Sequence, residues 1–129
     1  MPIEAEWEYA ARGGNKSRGY TYAGGNEPDA VAWYTKTTSD QGTKPVGTKA
    51  ANELGLNDLS GNVREWCWDW WGVYTSGTQN DPAGADSGTY RVNRGGGWYG
   101  GAPLRSAVRN GSTPGQRSGD LGFRLVRGN

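Results

Sequence analysis

Cys67 is the only cysteine in the chain, and histidine is absent altogether. Without a second thiol there is no intramolecular disulfide and no thiol pair for redox or metal chemistry. Without imidazole, Ser-His and Cys-His nucleophile systems, a haem His ligand and nearly every zinc or iron site built on imidazole are excluded. Cys67 stands between Trp66 and Trp68, a setting for a small buried apolar residue and not for a thiolate, which needs an exposed, electropositive environment. The remaining chemistry is that of guanidinium groups and oxygen atoms. Residues 90–129 hold seven arginines against Asp120 alone, a local +6, while residues 1–89 hold seven Lys and Arg against twelve Asp and Glu. Arginine grips carboxylates and phosphates bidentately. With an overall charge of only +1, pairing with the acidic half is expected in preference to nucleic-acid binding.

This pairing predicts that Arg105, Arg109 and Arg124 stack on indoles and bond to acids such as Glu6, Glu8, Glu65 or Asp69. Loss of Arg105 or Arg124 is then expected to unfold the domain, and charge changes at Arg117 or Arg127 to do little.

The elements that must hold these groups are short. A chain of 129 residues fits one domain with one core. Seven Trp and seven Tyr beside one Phe and one Met imply a core that is hydrogen-bonded as well as apolar. From Pro2 to about Arg12, good helix formers, a first-turn proline and early acids predict one amphipathic helix, which Gly13-Gly14 stops. Its stripe is Ile3, Trp7 and Ala10 or Ala11, with Glu4 and Glu8 toward solvent or arginine partners. Residues 13–60 read as ordered loops. Trp66, Trp68 and Trp70 alternate with Glu65, Cys67 and Asp69, which predicts a strand over 63–71. The indoles, with Trp71 and Trp98, are expected to pack in the core and not to form a sugar-stacking platform. Further strands are expected at 90–94, 123–126 and 104–109, separated by Gly-, Ser- and Asn-rich loops. No signal peptide or apolar run of the ~20 residues that span a bilayer is present. A soluble chain without direct membrane insertion is expected, its compartment unassigned and its parent protein one that a cell surface or virion could display.

Five segments, in order, are Pro2-Ile3-Glu4-Ala5-Glu6-Trp7-Glu8-Tyr9-Ala10-Ala11-Arg12-Gly13-Gly14, Asn52-Glu53-Leu54-Gly55-Leu56, Ser60-Gly61-Asn62-Val63-Arg64-Glu65-Trp66, Arg94-Gly95-Gly96-Gly97-Trp98 and Gly122-Phe123-Arg124. In content and spacing they resemble the formylglycine-generating enzyme, or sulfatase-modifying factor, family across nearly the whole chain. The resemblance implies an α+β, C-type-lectin-like fold over 1–129: a small twisted antiparallel sheet, one N-terminal amphipathic helix and abundant irregular loops. The family has Tyr where Asn57 stands and Trp where Arg64 stands. Its domain normally begins upstream with a strand and a helix, so the chain is expected to be part of a longer or multi-domain protein, or a minimal version of the domain.

The family's enzyme uses two active-site cysteines with copper between them, in the segment that here reads Tyr99-Gly100-Gly101-Ala102-Pro103. The resemblance therefore implies a non-catalytic relative, with a degenerate sulfatase-modifying enzyme or accessory protein as the alternative. No cofactor is required. Calcium is the one ion the resemblance admits, because family members hold it around the turn that here supplies oxygens from Asn62, the Val63 carbonyl and Glu65. In residues 98–124 framework positions alternate with Tyr99, Gly100, Gly101, Val108, Asn110, Gly111, Ser112, Ser118, Gly119 and Asp120. This layout looks like the variable region of proteins diversified by retroelements, since each of those residues is reachable from an Asn codon by changing its adenines. It implies a receptor-like surface over 99–120 for a protein or other macromolecular ligand, with Tyr99 as anchor.

Overall fold

The computed structural model describes residues 1–80, 82–100 and 103–128. Helix α1 runs Glu4–Ala11. The Glu6 carboxylate accepts the Ile3 N–H at 2.9 Å, satisfying one donor at the helix start. Gly13 ends the helix in the left-handed region, φ +92°, which a side chain would strain. The face α1 buries is Glu4, Trp7 and Ala11, so the stripe contains a carboxylate: Glu4 is turned inward to arginines. Two single-turn helices follow, α2 at Pro28–Val31 and α3 at Thr35–Thr38.

Four strands form the sheet: β1 Arg64–Trp70, β2 Arg91–Arg94, β3 Arg109–Ser112 and β4 Leu121–Gly122, in the order β3-β2-β1-β4. The α+β class stands, and the first two strands fall where alternation puts them. The sheet is mixed: β1 pairs antiparallel with β2, and β2 with β3, but β4 lies parallel to β1. The other two expected strands are displaced. Leu104 to Val108 is tied down by loop bonds, and pairing begins only at Arg109. The ladder at the other edge ends at Gly122, so Phe123 and Leu125, 65% and 80% exposed, alternate with an inward Arg124 without a strand partner among the described residues.

The indoles of β1 are on the other face from the one expected. Glu65, Cys67 and Asp69 are buried, while Trp66 and Trp70 are half-buried and Trp68 is 58% exposed. Trp71 is also exposed and Trp98 half-buried. The inward face is the one α1 covers. Trp7, Ala11, Ala23, Leu59, Cys67 and Val92 make the main core, and a smaller cluster gathers Val31, Ala32 and Leu104 with Tyr22 and Tyr34 against it.

So small a core is supplemented by charge. Arg94 is fully buried; it bonds to Glu4 at 2.5 Å, to Glu8 at 2.7 Å and to the Ser106 carbonyl at 2.5 Å. Arg109 holds Glu4 through two bonds of 2.7 and 2.6 Å. Arg124 holds Glu65 through two more of 2.7 and 2.6 Å. Thus Arg109 and Arg124 pair with acids of the first half, as expected. Arg105 is exposed and makes no ion pair among the described residues, and Arg94 takes the central place. Burial pushes the Glu8 carboxyl up, but the bonds and charges of Arg94 and Arg12 outweigh this and hold it below its ordinary value.

Candidate functional site

The 99–120 segment starts from a fixed base. The Trp98 carbonyl accepts the Thr38 hydroxyl at 2.7 Å, and Trp98 Nε1 donates to the Gly119 carbonyl at 3.1 Å, tying the two ends of the segment together. Tyr99 follows, 43% exposed, its ring centroid 4.5 Å from that of Trp98. Gly100 is exposed at φ +77° with open space around it. Gly101 lies outside the described residues. Val108 is half-buried at the end of a turn closed by its N–H on the Arg105 carbonyl.

On β3, Asn110 is half-buried and Gly111 exposed. A Cβ at Gly111 would come within 3.1 Å of both Trp71 and Tyr90, so a larger residue there requires Trp71 to shift. Ser112 is 3% exposed, and its hydroxyl accepts a 3.0 Å bond from Asn93. Gly119 is exposed and Ser118 half-buried. Asp120 departs from the expectation of a free surface acid. It is 5% exposed and bonds Arg64 twice, at 2.9 and 3.0 Å, with Ser118 donating to the same carboxylate. Burial pushes its carboxyl up, but the bonds from Arg64 and Ser118 outweigh that and hold it below the ordinary value. Arg64 stands where the family has tryptophan, and Asp120 supplies its counter-charge. Tyr99, Gly100, Val108, Asn110, Gly111, Ser118 and Gly119 thus offer some accessible surface, whereas Ser112 and Asp120 are framework.

Residues directly opposite in a sheet share a face. Trp66 opposes Asn93, Asn93 opposes Asn110, Trp70 opposes Arg91 and Arg91 opposes Ser112. Asn110 therefore shares its face with the β1 indoles. Arg91 lies 3.6 Å from the Trp70 ring centroid and 5.0 Å from that of Trp68. It has no carboxylate partner among the described residues and donates to the Trp68 carbonyl. Sequence reasoning missed this indole and arginine face because alternation does not say which face is inward.

Two of the three candidate calcium donors, Asn62 and Glu65, already carry hydrogen bonds. Glu65 accepts Trp7 Nε1 at 2.7 Å besides its two bonds from Arg124. Asn62, 4% exposed, clamps Lys44 by accepting its N–H at 3.0 Å and donating to its carbonyl at 3.1 Å. Val63 packs its side chain against Gly122. Among the described residues no group of three or more Cys, Asp or Glu could hold a metal, and Asn62 and Glu65 would have to share oxygens already bonded to join the 6–8 oxygen ligands that Ca²⁺ takes. Saturating calcium is expected to leave the melting temperature within about 1 °C of its value in chelator, because an ion that does not bind the native state gives no linkage; differential scanning fluorimetry in both buffers checks this.

Cys67 is fully buried, and desolvation, aided by the nearby Glu4 charge, pushes its thiol well above the ordinary range. That is the opposite of a nucleophile. A cavity of about 880 Å³ lies between α1 and residues of the 72–86 stretch, where the lining residues Glu4, Glu8 and Arg109 are already paired. Among the described residues no helix is long and apolar enough to cross a membrane.

The model of the sulfatase-modifying factor enzyme 1-like domain matches residues 1–129. The chain is 40% identical to the chaperone protein LppX of Paenibacillus barcinonensis over 98% of its own length and 48% of that protein. It is 37% identical to the formylglycine-generating enzyme of Mus musculus, again over 98% of its own length but 38% of the enzyme. Among solved structures, Treponema denticola variable protein 1 superposes with a TM-score of 0.86 at 41% identity, over 95% of this chain and 45% of that one. The chain therefore spans about half or less of the relatives it matches.

Proposed function

The chain belongs to the sulfatase-modifying factor enzyme 1-like family, and from that premise we propose that it is a non-catalytic, ligand-binding domain that displays residues 99–120 to a protein or other macromolecule. The observation that carries this reading is the contrast between backbone and side chains in that segment. Its ends are bonded to each other through Trp98 and Gly119 and its acid is locked on Arg64, while Tyr99 and its glycine neighbour stand in solvent. A surface whose backbone is fixed before binding loses less entropy on association. Similarity to a variable protein supports the same reading. The catalytic alternative is disfavoured by chemistry: the segment has no thiol, and the one cysteine is buried and held protonated.

We further propose that the surface is diversified by a retroelement, with calcium playing no part and nucleic acid not the ligand. The last point is supported by Arg94, Arg109 and Arg124, which spend their charge on internal carboxylates. For a partner selected from a displayed protein library, Tyr99→Ala is expected to weaken binding by about 30-fold, the loss of one aromatic anchor, with the melting temperature within about 2 °C. Unchanged affinity would remove Tyr99 as the anchor. Aldehyde formation from a sulfatase-type cysteine peptide with copper and oxygen would overturn the non-catalytic reading. Diversification is tested in the coding DNA, where a neighbouring reverse transcriptase and a near-copy of the 3′ end differing at adenines are expected.

A further inference from the structure

Arg105 is the one arginine of the 104–109 stretch whose guanidinium has no hydrogen bond or ion pair among the described residues, yet its backbone is held on both sides. The Leu104 carbonyl before it accepts the Ser60 hydroxyl at 2.9 Å, and its own carbonyl accepts the Val108 N–H at 3.0 Å. Ser106 after it donates to the Thr21 carbonyl at 3.1 Å and accepts from buried Arg94 at 2.5 Å. The exposed side chain therefore leaves a rigid point of attachment. Beside it lies a cavity of about 380 Å³, walled by Tyr22, Pro28, Tyr34 and Leu104, with Lys36 and Arg105 also in its lining. The volume falls within the ~300–1,000 Å³ of small-ligand pockets. Its charges are unequal. Lys36 is neutralised by Asp29, which also accepts from the Tyr34 hydroxyl, whereas Arg105 has no carboxylate among the described residues. The single uncompensated charge in the lining is thus a guanidinium above aromatic and aliphatic walls.

We propose that this cavity binds a carboxylate carried on an apolar body, such as an acidic or C-terminal residue of a peptide, with Arg105 gripping the carboxylate and Tyr22, Tyr34 and Leu104 taking the apolar part. Guanidinium meets carboxylate in a planar two-bond fork, and the walls supply the apolar contact that orients it. The proposal rests on the ligand-binding reading of residues 99–120 and extends that surface: Thr38, in the same helix as Lys36, holds the Trp98 carbonyl, placing the cavity beside the base of Tyr99.

The test titrates the isotope-labelled full chain with N-acetylphenylalanine, its neutral amide, and phenyl phosphate, following backbone amide shifts. Shifts at Tyr22, Tyr34, Leu104 and Arg105 are expected to saturate with the acid, about tenfold tighter than with the amide, as for one charge-assisted contact. Arg105→Gln should bring the acid down to the amide's affinity, Arg105→Lys should keep part of the difference, and both should melt like the parent. Equal affinity for acid and amide, or retention of the preference in Arg105→Gln, would overturn the proposal. Tighter binding of phenyl phosphate would make the cavity a phosphate site and overturn it likewise, and a large drop in the melting temperature of Arg105→Gln would return the residue to the fold. Tyr99→Ala keeps probe binding within about twofold if the cavity acts independently of the anchor. Loss of the probe with a retained macromolecular partner, or the reverse, separates failure of this inference from failure of the binding reading.

Discussion

Arg94→Ala is expected to destabilise the domain by about 3–5 kcal/mol, the cost of leaving buried charge without its partner. In a small domain of ordinary stability, ~5–15 kcal/mol, this unfolds much of the population near physiological temperature. The side chain has no exposed surface, and its removal strips Glu4 of one partner, Glu8 of another and the Ser106 carbonyl of its donor. Its guanidinium also lies 5.2 Å from the Trp7 ring centroid, so packing against the main core is lost as well. Arg94→Lys should recover little, because one ammonium cannot reach two carboxylates and a carbonyl in the same fork geometry. Chemical denaturation of the two variants checks this. A midpoint shift worth less than about 1 kcal/mol would mean that the cluster relaxes or takes in water.

Asp120→Ala is the second large effect, expected at about 3 kcal/mol, or roughly 10 °C in melting temperature. The carboxylate is buried, and its loss leaves Arg64, whose side chain is only 17% exposed, without a counter-charge. The same residue produces a pH dependence. Its folded carboxyl titrates below its ordinary value, so the stability it contributes is fully present above about pH 4 and is lost as pH falls through the folded value. Glu8 is shifted in the same direction and adds to this acid sensitivity. Asp69 is shifted the other way: desolvation dominates its upward shift, so its contribution is largest in acid and is lost as pH rises through its folded value. Melting temperature against pH should therefore fall below about pH 4, and fall less steeply in Asp120→Asn. Parallel curves for parent and variant would show that Asp120 does not carry the acid limb.

Helix α1, the first two strands and the framework of five segments were legible because each is local. Helical spacing with a glycine stop, period-two alternation and fixed short motifs carry their signal within a few residues. The burial of Cys67 was legible from the tryptophans on either side of it. Which arginine pairs with which acid was not: Arg94 meets Glu4 and Glu8 from 90 and 86 residues away, and no local pattern says that its charge, and not that of Arg105, is turned inward. Asp120 looked like a variable surface acid because its partner, Arg64, comes from the other half of the sequence.

Composition and the order of the motifs were enough to give the family, the absence of imidazole and thiol-pair chemistry, and the segment on which recognition is proposed to rest. Orientation came from packing alone. A strand that alternates Trp with Glu, Cys and Asp is symmetric as a pattern, and either face could be inward. The choice fell to α1, which covers β1 with Glu4 and Trp7 and, with Arg94 of β2 and Arg124, gives the carboxylates Glu65 and Glu4 their donors. A buried charge is tolerated only where such partners converge. With the acids satisfied inside, the indoles were left on the outer face beside Arg91 and Asn110.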